Sequence, residues 1–276
     1  MAKILGKPIV GRLETLQYAN KKFNWRDDII IGIGHKHAFY AWLRARLTGK
    51  KCIYYCIDFY SPEIADNLWD SIFIWAAMQL DKFLFKHCDE IWDISEKIDE
   101  GRRKFGNYTQ RAINYPHKIV PLSYPPSYFR MSGIYYPTKI IYVGLQPYGF
   151  ELLKGLDYIW LGNGRLPLEV LLCELSMGGI GISMWGRKGN NYYGDPGKTK
   201  LYSACGIPVI MTDNTPYADI IKKTQAGIVI PYNRESLKWA IKKILGNYSY
   251  YKKNVKKTWE CINADEIFKS VRLLEH

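Results

Sequence analysis

Short apolar runs alternate with helix-period stretches along almost the whole chain, and this alternation leaves few folds open. Asp28–Gly32, Lys51–Ile57, Glu90–Ile94 and Lys118–Leu122 read as strands. Ala38–Leu47, Ile64–His87 and a segment from Ser95 towards Phe105 carry helical spacing between them. Ser95 is expected to cap its helix, with Glu96 and Asp99 in the first turn, where the helix dipole favours acids. The Pro/Tyr/Ser-rich stretch Ser123–Pro137 has neither period and reads as a linker. Beyond it strands restart at Lys139–Gly144, Leu156–Gly162, Ile180–Met184, Ile207–Met211 and Ala226–Ile230. Helices are expected at Leu168–Leu175, Lys198–Cys205, Thr215–Thr224, Glu235–Leu245 and in the Lys/Tyr-rich tail. Short strands of this kind form parallel sheets covered on both faces by helices. The expectation is an α/β chain with two Rossmann-like, doubly wound domains facing a cleft. The first spans 1–125 and the second 126–248, with the tail 249–276 helical.

Charge narrows the partners. Against 26 Asp and Glu stand 39 Lys and Arg, a net charge of +13, which favours nucleotide diphosphates, nucleic acid or anionic headgroups alike. No zinc-finger spacing or basic–aromatic repeat supports nucleic acid. The cysteines Cys52, Cys56, Cys88, Cys173, Cys205 and Cys261 form no CxxC pair and are read as reduced thiols of a cytoplasmic protein. No run reaches the roughly 18–20 apolar residues of a membrane span. Leu68–Cys88 comes nearest, with Trp69, Phe73, Trp75, Phe83 and Phe85. Core packing is its default reading; the alternative is peripheral docking on the cytoplasmic face of a membrane, aided by Lys252, Lys253, Lys256 and Lys257.

The densest chemistry lies in Asn190–Ile230. Asp195-Pro196-Gly197 opens a helix at Lys198, where free backbone N–H groups, the dipole and the ammonium suit a phosphate. Asn190, Asn191, Arg187 and Thr199 add polar groups around it. Gly206 is suited to end that helix in a left-handed cap, and Pro208 stops its continuation.

These residues resemble the nucleotide-binding region of GT-B glycosyltransferases, in which P-x-K-x-x-x-Y-x-x-x-G-x-P-V-I recurs. Here the pattern is Pro196, Lys198, Tyr202, Gly206, Pro208, Val209 and Ile210, followed by Gly227 before the last strand. The likeness is strongest to family-4-like enzymes and to small glucosyl- and galactofuranosyl-transferases. It implies a GT-B fold with a shortened N-terminal domain, C-terminal helices in 249–276 that pack back on that domain, and a metal-independent hexosyl transfer from a nucleoside-diphosphate sugar, UDP-linked. The acceptor would be a saccharide, a lipid-linked compound or a protein, and no cofactor is called for. It assigns Lys198, Thr199, Tyr202, Asn190, Asn191, Gly197 and Arg187 to the donor. Two departures stand out: Leu201 replaces the glutamate that holds ribose in many relatives, and Gln146-Pro147-Tyr148-Gly149 replaces their Arg/Lys pair.

In the first half, His35 and Asp58 each follow a strand and are candidate catalytic residues, Asp58 as general base. His35 and His37 form a His-x-His pair without further metal ligands nearby. Two rivals remain: a non-catalytic GT-B partner of an active transferase and, less favoured, a sugar-nucleotide 2-epimerase.

Overall fold

The computed structural model describes residues 9–10, 16, 21, 28–106, 117–131, 137–144, 149–161, 166–186 and 190–270. Two compact units divide the chain. Unit 1 takes residues 1–122, 188–195 and 267–276; unit 2 takes 123–187 and 196–266.

Unit 1 holds a five-stranded parallel sheet of β1 (Ile9–Val10), β2 (Ile29–Ile33), β3 (Lys51–Cys56), β4 (Glu90–Asp93) and β5 (His117–Ile119), neighbours in chain order. All of β2, and β3 beyond Lys51, are buried, as expected of strands covered on both faces. Helix α1 (Gly34–Thr48) packs on β2 so closely that a Cβ on Gly32 would stand 2.3 Å from the Ala38 Cα. Only glycine fits there. Helix α2 (Leu68–His87) starts at Asn67, whose side chain accepts from the Asp70 N–H at 3.0 Å. The short α3 (Glu96–Gly101) runs into a π-turn, Arg102–Gly106.

Unit 2 holds the strands β6 (Ile140–Val143), β7 (Tyr158–Leu161), β8 (Ile180–Ser183), β9 (Val209–Thr212) and β10 (Gly227–Ile230). They are all parallel, in the order β10-β9-β8-β6-β7. The order reverses between β6 and β8, and ligands of such sheets bind beyond the carboxyl ends of the strands at that point. Connecting helices include α4 (Phe150–Leu153), α5 (Leu168–Ser176), α7 (Gly197–Ala204), α8 (Tyr217–Thr224) and α9 (Arg234–Leu245), while α6 (Asn190–Tyr193) belongs to unit 1.

Three local expectations are corrected. Residues 249–276 do not pack as a whole on the first unit: α10 (Tyr248–Ile262) buries Val255, Trp259 and Ile262 in the core of unit 2. Only 267–276, the end of α11 (Ala264–Ser270) among them, group with unit 1. Ser95 stands at the N-cap of α3 without capping it, because its hydroxyl donates to the Tyr193 carbonyl at 2.6 Å. The first half of α2 is not core: Trp69 is 78% and Trp75 63% exposed. The six cysteines carry no disulfide, and no helix among the described residues is long and apolar enough to cross a membrane.

Candidate functional site

In unit 2 the polar groups gather at the carboxyl ends of β6, β8 and β9. Helix α7 follows Pro196, has no side-chain cap and carries no acid in its first turn. The Thr199 N–H donates to the Pro196 carbonyl at 3.0 Å, and a helix start of this kind directs the positive end of its dipole outward. Lys198 rises from this end. Its ammonium donates to the Tyr142 hydroxyl of β6 at 2.7 Å and lies 4.2 Å from that ring's centre and 5.8 Å from the Trp185 ring. No carboxylate among the described residues pairs with it. Burial, unrelieved by any anion, lowers its pKa to about 8.

The walls around Lys198 are held by short bonds. Gly144, just after β6, has φ 143°, and a Cβ there would come within 3.5 Å of Lys198 Nζ. Its carbonyl accepts from the Trp160 indole at 2.7 Å. After β8, the Trp185 N–H donates to Thr212 Oγ1 at 2.9 Å, and the Asn214 amide donates to the carbonyls of Trp185 and Gly186. The Trp185 indole and the Thr199 hydroxyl both donate to Ser183 Oγ, at 2.7 and 2.9 Å. In the loop beyond β9, Thr215 Oγ1 is buried with no hydrogen-bond partner among the described residues. A buried hydroxyl in that condition is unusual.

The residues assigned to the donor separate. Lys198 and Gly197 stand at the open helix end. Thr199 is wholly buried and ties α7 to β8. Tyr202 is also wholly buried: its hydroxyl accepts from the Val143 N–H at 2.8 Å and lies 3.3 and 3.2 Å from the Ile141 and Ile182 carbonyls. It bridges β6 and β8 at the switch point, and its ring fills the space over Gly181, where a Cβ would lie 2.5 Å away. A contact with base or ribose is therefore corrected to a strut beneath the site. Tyr202→Phe is expected to cost about 1–3 kcal/mol by stranding the Val143 N–H. UDP affinity should stay within twofold, read by urea denaturation and calorimetry. Asn190 and Asn191 lie on α6, in unit 1 rather than unit 2. Arg187 falls outside the described residues.

In unit 1, a cavity of about 520 Å³ opens beyond β2 and β3. His35 and Asp58 both line it, with Lys36, His37 and Tyr60, against Phe73, Ala76, Ala77 and Leu80 of α2. Burial lowers the His35 pKa against the pull of Asp81, whose Oδ1 lies 3.6 Å from Nε2. Asp58 has its side chain open to solvent at the cavity's concave mouth, and the crowding there raises its carboxyl pKa.

Behind His35 lies a buried charge network not foreseen from the sequence. Arg102 forks onto both oxygens of Asp81 at 2.9 and 3.1 Å and reaches Asp93 at 2.5 Å. Burial pulls its pKa down, but the charges of Asp81 and Asp93 outweigh this and raise it well above the ordinary value. Tyr54 donates to Asp81 Oδ1 at 2.6 Å, and His117 Nε2 lies 2.8 Å from Asp93 Oδ2. His35, Cys56 and Asp81 bring donor atoms of metal-ligating type within 4.8 Å of one another. Asp81 is already taken by Arg102 and Tyr54, and the Cys56 thiol donates to the Asp58 carbonyl at 3.3 Å. A metal would have to dismantle these bonds.

Two parallel five-stranded sheets, the second with its reversal at a lysine-bearing helix end, give the GT-B fold of glycosyltransferases. The comparisons agree with this class. Residues 160–273 match the family model described as glucosyltransferase 3-like, C-terminal domain. Sucrose-phosphate synthase from Thermosynechococcus elongatus superposes with a TM-score of 0.66 at 12% identity, covering 94% of this chain and 75% of the other. HepE of Anabaena in complex with UDP and glucose gives 0.65 at 9% identity, covering 93% and 79%. A UDP-forming α,α-trehalose-phosphate synthase from Burkholderia vietnamiensis gives 0.57 at 11%, covering 93% and 76%. No curated protein sequence matches. The resemblance carried by Pro196, Lys198 and Gly206 thus holds at the level of fold, with a chain shorter than those enzymes.

Proposed function

We propose that the protein is a metal-independent glycosyltransferase that moves a hexose from a UDP-linked donor to a hydroxyl of a saccharide, lipid-linked or protein acceptor. One observation carries the reading: Lys198 is a partly buried ammonium that pairs with no carboxylate among the described residues, set at an uncapped helix end beside the switch point of unit 2. A diphosphate supplies the missing charge. Lys198 and the leading amides of α7, from Gly197 on, would stabilise the negative charge that grows on the leaving UDP, electrostatic catalysis by groups already in place. The UDP preference follows from the likeness to HepE, whose structures contain UDP, UDP with glucose and UDP-glucose. Asn190, Asn191 and Arg187 are kept as donor-side candidates. The acceptor is assigned to the cavity of unit 1, where Asp58 takes the hydroxyl proton and His35 orients the acceptor. A cytoplasmic location with peripheral membrane attachment accompanies this reading.

Titration of the purified chain with UDP, GDP and ADP, followed by UDP-glucose turnover, tests it. Asp58→Asn should lower turnover by about 10²–10³-fold with UDP affinity unchanged. Absence of nucleotide binding would remove the proposal. A non-catalytic partner subunit is favoured by one observation: Leu201, at the ribose-holding position, is buried in the core of unit 2. UDP binding without turnover by any preparation would decide for that alternative.

A further inference from the structure

The exposed side of α2 runs directly into the cavity wall. At about 100° per residue, Trp75, Leu68, Ile72, Ala76, Trp69 and Phe73 follow one another over an arc of roughly 160°. Leu68 is 73%, Trp69 78%, Ile72 47%, Phe73 57% and Trp75 63% exposed. No charge interrupts this helix between Ser71 and Leu80. Asp70, the one acid of its first turns, points to the other side and is tied to the Asn67 amide at 2.8 Å. Lys82 and Lys86, both exposed, then fall on the same side of the helix as Leu68 and Trp75, about two and three turns beyond Trp75. A face that changes from Trp, Leu and Ile to Lys along its own length matches the change from hydrocarbon to headgroup at a bilayer surface. Phe73 and Ala76 belong both to this face and to the cavity that holds His35 and Asp58.

We propose that the first three turns of α2 are a membrane-docking surface, seated in the interface of a bilayer bearing anionic lipid. Docked in this way, the cavity mouth lies at headgroup depth. An acceptor carried on a lipid then enters with its hydroxyl towards Asp58 and its tail along Phe73. The docking step stands alone, whereas the acceptor's identity rests on the glycosyltransferase reading.

The test is flotation of the full chain with vesicles of phosphatidylcholine containing about 30% phosphatidylglycerol. The wild type should float, with a blue shift of tryptophan emission. Trp69→Ser/Trp75→Ser should lower the partition coefficient at least about tenfold, since two interfacial aromatic anchors are lost. Lys82→Glu/Lys86→Glu should weaken binding to these vesicles and leave binding to pure phosphatidylcholine unchanged. Both pairs are on the surface and should keep the wild-type melting temperature and UDP affinity. A wild type that stays in solution overturns the proposal, as does a Trp variant that floats equally well. So does a wild-type dimer, by light scattering, that the Trp variant dissolves, because a second copy then covers the face. Loss of UDP binding alone would remove the function proposed above and leave the docking surface standing.

Discussion

Lys198→Met is expected to make the protein more stable and a poorer binder at once. The folded chain holds this ammonium where burial lowers its pKa from 10.5 to about 8. A gap of that size corresponds to at most about 3 kcal/mol of unfavourable charge burial. Methionine occupies similar volume without a charge, and the lost bond to Tyr142 offsets part of the gain. The net expectation is a rise in Tm of a few degrees, together with UDP affinity lowered about 30- to 1,000-fold, the range for removing one desolvated charge from a charge pair. The sign of the pH dependence follows. Between pH 8 and 10.5 the unfolded wild type binds more protons than the folded chain, so its stability rises with pH across that window. Its UDP affinity falls over the same window as the free site loses its proton. The variant should show neither slope. Calorimetric scans and UDP titrations at neutral pH and near pH 9.5 measure both. A variant that binds UDP as well as the wild type would remove Lys198 from the site.

The strand–helix alternation was legible because parallel strands buried on both faces leave continuous apolar runs such as Ile29–Ile33. The place of Lys198 in the first turn of a helix was legible, because Pro196-Gly197 opens the helix and Gly206 and Pro208 end it. Tyr202 misled. It sits four residues from Lys198 on the same helix, but the gap that draws its ring inward is made by Gly181 on another strand. The α2 face misled in the opposite sense, since an apolar helical stretch reads the same whether its face is buried or, as at Trp69 and Trp75, exposed. Asp81 and Arg102 gave no signal: they are 21 residues apart, on a helix and a π-turn, and only the packed unit brings them together. The Asn190–Tyr193 turn looked local to its neighbours, yet Tyr193 packs on Phe59, ring centres 5.1 Å apart, because the chain returns to unit 1 there.

Arg102→Met should produce the largest loss of stability of any change considered, about 3–5 kcal/mol. The side chain it removes is fully buried and joins Asp81 to Asp93, which are themselves 0% exposed. Without the guanidinium, the Asp81 and Asp93 carboxylates stay buried without the cation that joins them, with the Tyr54 hydroxyl and the His35 and His117 imidazoles among their neighbours. Protonating an unpaired buried carboxylate would relieve part of that cost, so the variant should gain stability as pH falls from about 7.5 to 5.5. Urea denaturation at the two pH values reads both the loss and its slope. Arg102→Met/Asp81→Leu should recover at least half of the loss, because the unpaired carboxylate rather than the missing contact dominates it. The recovery will be incomplete, since the Tyr54 hydroxyl loses its acceptor. If Arg102→Met costs less than about 1 kcal/mol, the Asp81–Arg102–Asp93 charges do not act as one unit, and His35 is not anchored from behind by them.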